Sequence, residues 1–166
     1  MTTPQPFRTE DLAAHRECLS TIARWHFEQW GSLTGADTFE GYVRVLEQLA
    51  ASTSLPSVLL ALDGGEPIGS ASLLRCDMTI RPDLTPWLAQ LFVASAHRRR
   101  GVGAALVEAV ARRAARCGFK RLYLYTSGDL PLYYDRLGWV ARERVAYLGR
   151  ERVVMERGLA SSLRSL

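Results

Sequence analysis

The densest chemistry in the chain lies in residues 87–104. An apolar run, Trp87-Leu88-Ala89-Gln90-Leu91-Phe92-Val93, is followed by Ala94-Ser95-Ala96-His97-Arg98-Arg99-Arg100-Gly101-Val102-Gly103-Ala104 and then by a helical pattern. The run reads as a buried strand, and residues 94–104 as a glycine turn that opens a helix. Strand, glycine turn and helix in that order make an anion site. The first turn of a helix presents backbone N–H groups that lack intrahelical partners, and the aligned peptide dipoles place about half a positive charge there. Gly101 and Gly103 remove the side chains that would hold a phosphate off those amides, and Arg98, Arg99 and Arg100 add positive field. A P-loop is excluded, because it needs Gly-Lys-Ser/Thr and this stretch has no lysine. A dinucleotide fingerprint fails at Leu106, where its third glycine belongs, and Arg121 to Tyr125 lack the ribose-binding acid. His97, beside three arginines, reads as a solvated turn residue.

The elements that must position this segment can be read from periodicity. Between Glu10 and Trp30 the residues Leu12, Cys18, Leu19, Ile22, Trp25, Phe27 and Trp30 recur mostly at three- and four-residue steps, which predicts one amphipathic helix ended by Gly31. A second helix is expected over Phe39–Ala51. Ser57–Leu62 and Pro67–Arg75 flank Asp63-Gly64-Gly65-Glu66 and read as a β-hairpin. Ala105, Leu106, Ala109 and Val110 form one face of a helix from Val102 that Gly118 stops, and Arg121–Thr126 is a further strand. Asp129 is expected to cap a short helix over Leu130–Leu137, and Trp139–Tyr147 with Arg152–Glu156 closes the chain as an antiparallel pair. The result is an α/β domain with a mixed sheet.

Composition bounds the rest. The chain has 166 residues, 48% hydrophobic and 23% charged, so it reads as a single globular domain over 1–166. At this length about 70% of the extended-chain surface is buried, enough to hold a core without disulfides or a structural metal. Cys18, Cys76 and Cys117 lack C-x-x-C spacing and read as reduced core thiols, and no Cys/His/Asp cluster supports a metal. Neither an apolar leader nor an 18-residue apolar window is evident, so a cytoplasmic protein without a membrane partner is expected. The net charge of +4 hides an asymmetry. Residues 1–97 carry 6 basic and 11 acidic side chains (−5), and residues 98–166 carry 15 and 6 (+9). Something anionic belongs to the second half. Nucleic acid is not the expected partner, since it usually asks for a wider basic face with interleaved aromatics. The four tryptophans, Trp25, Trp30, Trp87 and Trp139, read as core or pocket wall.

Arg98-x-x-Gly101-x-Gly103 after a buried strand resembles the Gln/Arg-x-x-Gly-x-Gly/Ala pyrophosphate motif of the GNAT superfamily of acetyl-CoA-dependent N-acetyltransferases. Tyr133-Tyr134-Asp135-Arg136-Leu137-Gly138-Trp139 is similar to that family's Phe-Tyr-Glu-Lys-x-Gly-Phe segment. It begins one helix, one strand and a short helix later, with 31 residues separating Gly103 from Tyr134. The resemblance covers about residues 57–157. It implies a GNAT acyl-CoA N-acyltransferase fold, a mixed and mostly antiparallel sheet of about 6–7 strands with helices on both faces.

The resemblance also implies a mechanism, in which a primary amine attacks the thioester of acetyl-CoA directly in a ternary complex. Backbone amides of Leu91, Phe92 and Val93 would hold the pantetheine arm and polarise the carbonyl. Arg98, Arg99, Arg100, Gly101, Val102, Gly103 and Ala104 would bind the pyrophosphate, and Tyr134 would contact the cosubstrate and protonate the departing thiolate as general acid. Family members often carry a carboxylate on the strand where this chain has Gln90, which leaves the base open: Asp77 is the candidate, with Glu28, His26 or a water chain as alternatives. The first two helices and the Asp77–Pro86 loop would frame the acceptor, whose acidic surroundings would favour a cationic amine. The alternatives are a non-catalytic acyl-CoA sensor or scaffold and, behind it, a nucleic-acid-associated protein. A homodimer through an exposed Trp139–Tyr147 edge would suit the family.

Overall fold

The computed structural model describes residues 6–160. Seven strands form one sheet, β1 (Arg8–Asp11), β2 (Ser57–Asp63), β3 (Glu66–Leu74), β4 (Trp87–Val93), β5 (Arg121–Thr126), β6 (Val140–Tyr147) and β7 (Arg150–Gly158). Four helices accompany it, α1 (Leu19–Trp30), α2 (Phe39–Leu49), α3 (Val102–Arg116) and α4 (Leu130–Asp135). The strand order is β1-β2-β3-β4-β5-β7-β6, and β4 with β5 is the parallel pair in an otherwise antiparallel sheet.

Strand β2 shows why this is a three-layer structure. All of its residues from Ser57 to Leu62 are buried, and successive side chains serve different cores. Val58, Leu60 and Leu62 pack with Ile22 of α1 and Tyr42 and Leu46 of α2, whereas Leu59 and Ala61 pack with Leu106, Val110 and Ala114 of α3. A period-two strand covered on both faces must be apolar throughout. Truncating Leu106, which is fully buried, would cost about 2–5 kcal/mol. The β2–β3 turn reverses through Gly64 and Gly65 with φ of 59° and 88°, the double left-handed geometry of a two-residue hairpin loop. A third cluster, Met78, Leu84, Trp87, Tyr123 and Val154, lies beneath the loop that precedes β4.

The first helical segment differs from expectation. Glu10–Trp30 is not one helix: Arg8–Asp11 pairs with β2 as an edge strand, two short 3-10 turns come next, and α1 begins at Leu19. The strand is held from a distance. Arg113 of α3, 7% exposed, donates from Nη1 and Nη2 to the two Asp11 carboxylate oxygens at 2.8 and 2.9 Å and to Ser57 Oγ at 3.1 Å. Asp129 stands at the start of α4 but makes no side-chain cap; Pro131 in the first turn fixes the helical φ instead. Of the three cysteines only Cys18 is a core thiol; Cys117 is half-buried and Cys76 is exposed. No described helix is long and apolar enough to cross a membrane.

Candidate active site

The site arises because β4 and β5 separate. Their ladder holds at Trp87 opposite Tyr123 and is not continued. On its other edge β4 pairs Phe92 with Ser70 and Ala89 with Ser72, so Gln90 and Leu91 together oppose Ala71 alone. That bulge places Gln90 at φ 55° and bends the strand away from β5. Burial tracks the bend: Trp87, Leu88 and Ala89 are buried, whereas Gln90 to Val93 are half-buried. The expected strand is therefore present, but only its first half is sealed.

A cleft of about 570 Å³ occupies the gap, with Leu88–Leu91 of β4 and Leu124–Thr126 of β5 among its walls. Tyr134 belongs to the α3 side of the sheet, packed edge-to-face on Trp139 at 6.1 Å, and it lines the cleft. Trp30 of α1 and Tyr125, on the opposite side of the sheet, line it too. A cavity bordered from both layers runs through the split. Burial raises the Tyr134 phenol well above its usual range, so it keeps its proton and can donate it. Asp77 also lines the cleft, and burial pushes its carboxyl up to about 7. Tyr125 is raised as well, first by burial and then by the charge of Asp77.

Gln90 is occupied by the fold rather than free for proton transfer. Its Oε1 accepts from Ser72 Oγ at 2.7 Å and its Nε2 donates to Tyr42 Oη at 3.1 Å. Tyr42 in turn donates to His26 Nδ1 at 2.6 Å, and His26 Nε2–H donates to Ser70 Oγ at 3.1 Å. The chain Ser72–Gln90–Tyr42–His26–Ser70 runs donor to acceptor in one direction and ties α1 and α2 to the bulge. His26 is completely buried, and burial lowers its pKa to about 4, so it is a neutral structural group and not a base at the cleft. Glu28 is exposed on α1 and is not among the cleft residues.

At the mouth, β4 passes through a 3-10 turn, Ser95–His97, into α3. Gly101 takes φ 78° at the N-cap position. The first α3 bond made here is Ala105 N–H to Gly101 O at 3.0 Å, so the amides of Val102, Gly103 and Ala104 point outward without helical acceptors. Arg98 Nε is spent on Val93 O at 3.0 Å, and Arg100 donates to Asp63 at 3.1 Å and to His97 Nδ1 at 2.6 Å. Arg99, with φ 63°, makes no side-chain hydrogen bond or ion pair among the described residues. A Cβ built on Gly103 would lie 2.7 Å from the Tyr133 hydroxyl, so Tyr133 stands over the helix mouth while its neighbour Tyr134 turns into the cleft. The missing side chain at 103 is what lets the Tyr133 hydroxyl come this close to the first turn of α3, beside the outward amides.

The structure thus brings Asp77, Gln90, Leu91 and Tyr134 to one cleft and Arg98–Ala104 to one end of β4. Sequence reasoning missed Tyr125, Arg150 and Arg152, which also line the cleft. A signal for them exists: Val154 is a core residue, and stepping back by twos along β7 places Arg152 and Arg150 on the same face.

Residues 14–139 match the Acetyltransferase (GNAT) family. The match spans the split sheet and the glycine-led helix at the split, and the chain belongs to the GNAT acetyltransferase family. It is similar to the crystal structure of an aminoglycoside 6'-N-acetyltransferase complexed with coenzyme A (TM-score 0.71, 16% identity, 91% of this chain and 96% of that one). It is similar also to aminoglycoside 6'-acetyltransferase type Ii (0.70, 17%, 91% and 96%) and to an acetyltransferase from Streptococcus agalactiae 2603 (0.68, 18%, 93% and 99%). No curated protein matches the chain.

Proposed function

We propose that residues 1–166 form one acetyl-CoA-dependent N-acetyltransferase domain that acylates a primary amine by direct attack in a ternary complex. The observation that carries this reading is the cleft running through the β4–β5 split, lined on one side of the sheet by Tyr134 and on the other by Asp77. The residues fit an acyl-CoA. The outward amides of Val102, Gly103 and Ala104 and Arg99, unpaired among the described residues, suit a pyrophosphate, and the edge of β4 freed at Leu91–Val93 offers backbone groups to an amide-bearing arm. The solved structure with coenzyme A on the same fold supports that assignment.

Within this reading Asp77 accepts a proton from the ammonium of the acceptor, leaving the nitrogen lone pair free to attack the acetyl carbonyl. A carboxyl titrating at about 7 is well suited to a base at neutral pH. The amide bond forms as the carbon–sulfur bond breaks; Tyr134 Oη–H gives its proton to the departing sulfur, and the second proton shed by the nitrogen passes to the phenolate so formed and restores Tyr134. Each N–H aimed at the developing oxyanion from β4 contributes about 3 kcal/mol.

Thermal unfolding with acetyl-CoA, CoA or an oligonucleotide tests the binding half. A ligand at 100 times its Kd adds about 2.7 kcal/mol, so both thioester and free CoA should raise the Tm clearly. No shift at millimolar acetyl-CoA overturns the proposal. Thiol release over a panel of amines then separates an enzyme from a silent acyl-CoA binder.

A further inference from the structure

The charged lining of the cleft on the side of the sheet opposite Tyr134 is one carboxylate, Asp77, and two guanidiniums, Arg150 and Arg152. The −5 of residues 1–97 does not appear there. Of its eleven carboxylates only Asp77 lines the cleft, and several of the others are tied to arginines: Asp11 to Arg113, Asp63 to Arg100, Glu47 to Arg16.

The arginines of the β6–β7 hairpin divide cleanly. Arg142 pairs with Glu156 at 3.1 Å, Arg144 with Glu151 at 3.1 Å, and Arg157 with Glu108 at 2.5 Å. Arg150 and Arg152, the two that line the cleft, have no carboxylate partner among the described residues. Arg152 is positioned instead by Tyr147, whose carbonyl accepts from its Nε at 3.1 Å, and its guanidinium lies 5.5 Å from the centre of the Tyr125 ring. Arg150 makes no side-chain hydrogen bond to any described residue. The tight turn at Leu148 and Gly149, with φ of 53° and 81°, fixes both arginines at the cleft, with Leu148 also on its wall.

Two cations held without a counter-ion beside one carboxylate are complementary to a ligand of the opposite arrangement. We propose that the acceptor is zwitterionic: an amine that also bears an anionic group, carboxylate or phosphate, with the ammonium directed to Asp77 and the anion to Arg150 and Arg152. This rests on the N-acetyltransferase reading and narrows its substrate class. It runs against the cationic acceptor expected from the charge of the first half of the chain. Guanidinium with carboxylate or phosphate forms the paired, charge-assisted contacts that justify leaving an arginine unpaired.

The test uses the intact protein, with thermal shift in saturating CoA and thiol release from acetyl-CoA as two readouts. The probes are the α-amino acids against their carboxamides, phosphoethanolamine against ethanolamine, and spermidine. Carboxylate- or phosphate-bearing amines should stabilise the CoA complex and be acetylated at least about tenfold better than their neutral counterparts, the discrimination expected of one charged hydrogen-bonded contact. Which of the two anionic series responds tells carboxylate from phosphate. Arg150→Gln, at an exposed position, should abolish that preference while leaving the shift by CoA alone unchanged. Equal or better response to the carboxamides, ethanolamine or spermidine, or indifference to every probe with the CoA shift intact, overturns the zwitterion proposal and leaves the acetyl-CoA site standing. Absence of the CoA shift overturns the reading beneath it.

Discussion

Gly103→Ala separates the stability of the fold from the binding at its mouth. The added methyl would sit 2.7 Å from the Tyr133 hydroxyl, so the ring must move by about 0.7 Å to reach ordinary van der Waals contact. Tyr133 is 36% exposed and can swing outward. Against that small cost, alanine in place of glycine in a helix gains about 0.5–1 kcal/mol, so the Tm should be unchanged or slightly raised. Binding should respond differently, because in the proposed complex the pyrophosphate meets the amides of Val102, Gly103 and Ala104 beside both the added methyl and the displaced Tyr133. Losing one charged hydrogen bond costs about 1.5–3 kcal/mol, which is a tenfold to 150-fold rise in Kd for CoA. Isothermal titration of CoA into wild type and variant reads this directly. The double variant Gly103→Ala/Tyr133→Phe removes the close contact, since the ring Cζ lies 3.8 Å from the methyl position. If the affinity stays low in the double variant, the methyl itself obstructs the anion; if it recovers, the displaced Tyr133 was the obstruction. A single variant binding CoA within twofold of wild type would refute the placement of the pyrophosphate on α3.

The cleft and its supports lead to further outcomes. Tyr134→Phe should lower kcat by about 10²–10⁴ while leaving the CoA Kd within twofold, as expected for a residue that transfers a proton and does little for binding; equal kcat in a steady-state thiol assay removes Tyr134 as the acid. Asp77 titrates at about 7 in the fold against an ordinary 3.8, so the folded state holds its proton more tightly than the unfolded chain does. The protein therefore loses stability as pH rises from 3.8 to about 7, and Asp77→Asn should raise the Tm at pH 8 but not at pH 3.5 while flattening the rise of kcat/KM through pH 7. His26 is shifted the other way, from 6.5 to about 4. The stability it contributes is complete above pH 6.5 and is lost as pH falls to about 4. His26→Gln should thus cost about 1–3 kcal/mol at pH 7.5 and distinctly less at pH 4, with a constant difference in urea midpoints arguing against the buried neutral ring.

The sequence is most legible where local pattern and packing agree. Trp87–Val93 and Arg121–Thr126 are apolar, β-branched or aromatic runs that end at turn residues, and both strands occupy those residues. Val102 as the start of α3 is marked by Gly101, whose left-handed backbone forces the break. Arg8–Asp11 is illegible because a four-residue polar edge strand has no alternating pattern of its own. It is defined by Arg113, 102 residues further on, which no local window contains. The bulge is equally hidden: Gln90 reads as a polar interruption of an apolar strand, and only its partners Ser72 and Tyr42, on β3 and α2, show why the backbone adopts φ 55° there. The acceptor side is misleading in the sequence because net charge over residues 1–97 counts carboxylates already neutralised by arginines, while Arg150 and Arg152, far along the chain, reach the cleft.

Amide hydrogen exchange with and without acetyl-CoA tests the central claim most directly, because it reports on the backbone groups that the split sheet leaves unpaired. Protection should appear on Leu91–Val93 of β4 and on Arg99–Ala104 at the mouth of α3, with β1 and β2 unchanged. Acetyl-CoA that binds without protecting either segment, or that protects the outer strands instead, would contradict an acyl-CoA site between β4 and β5.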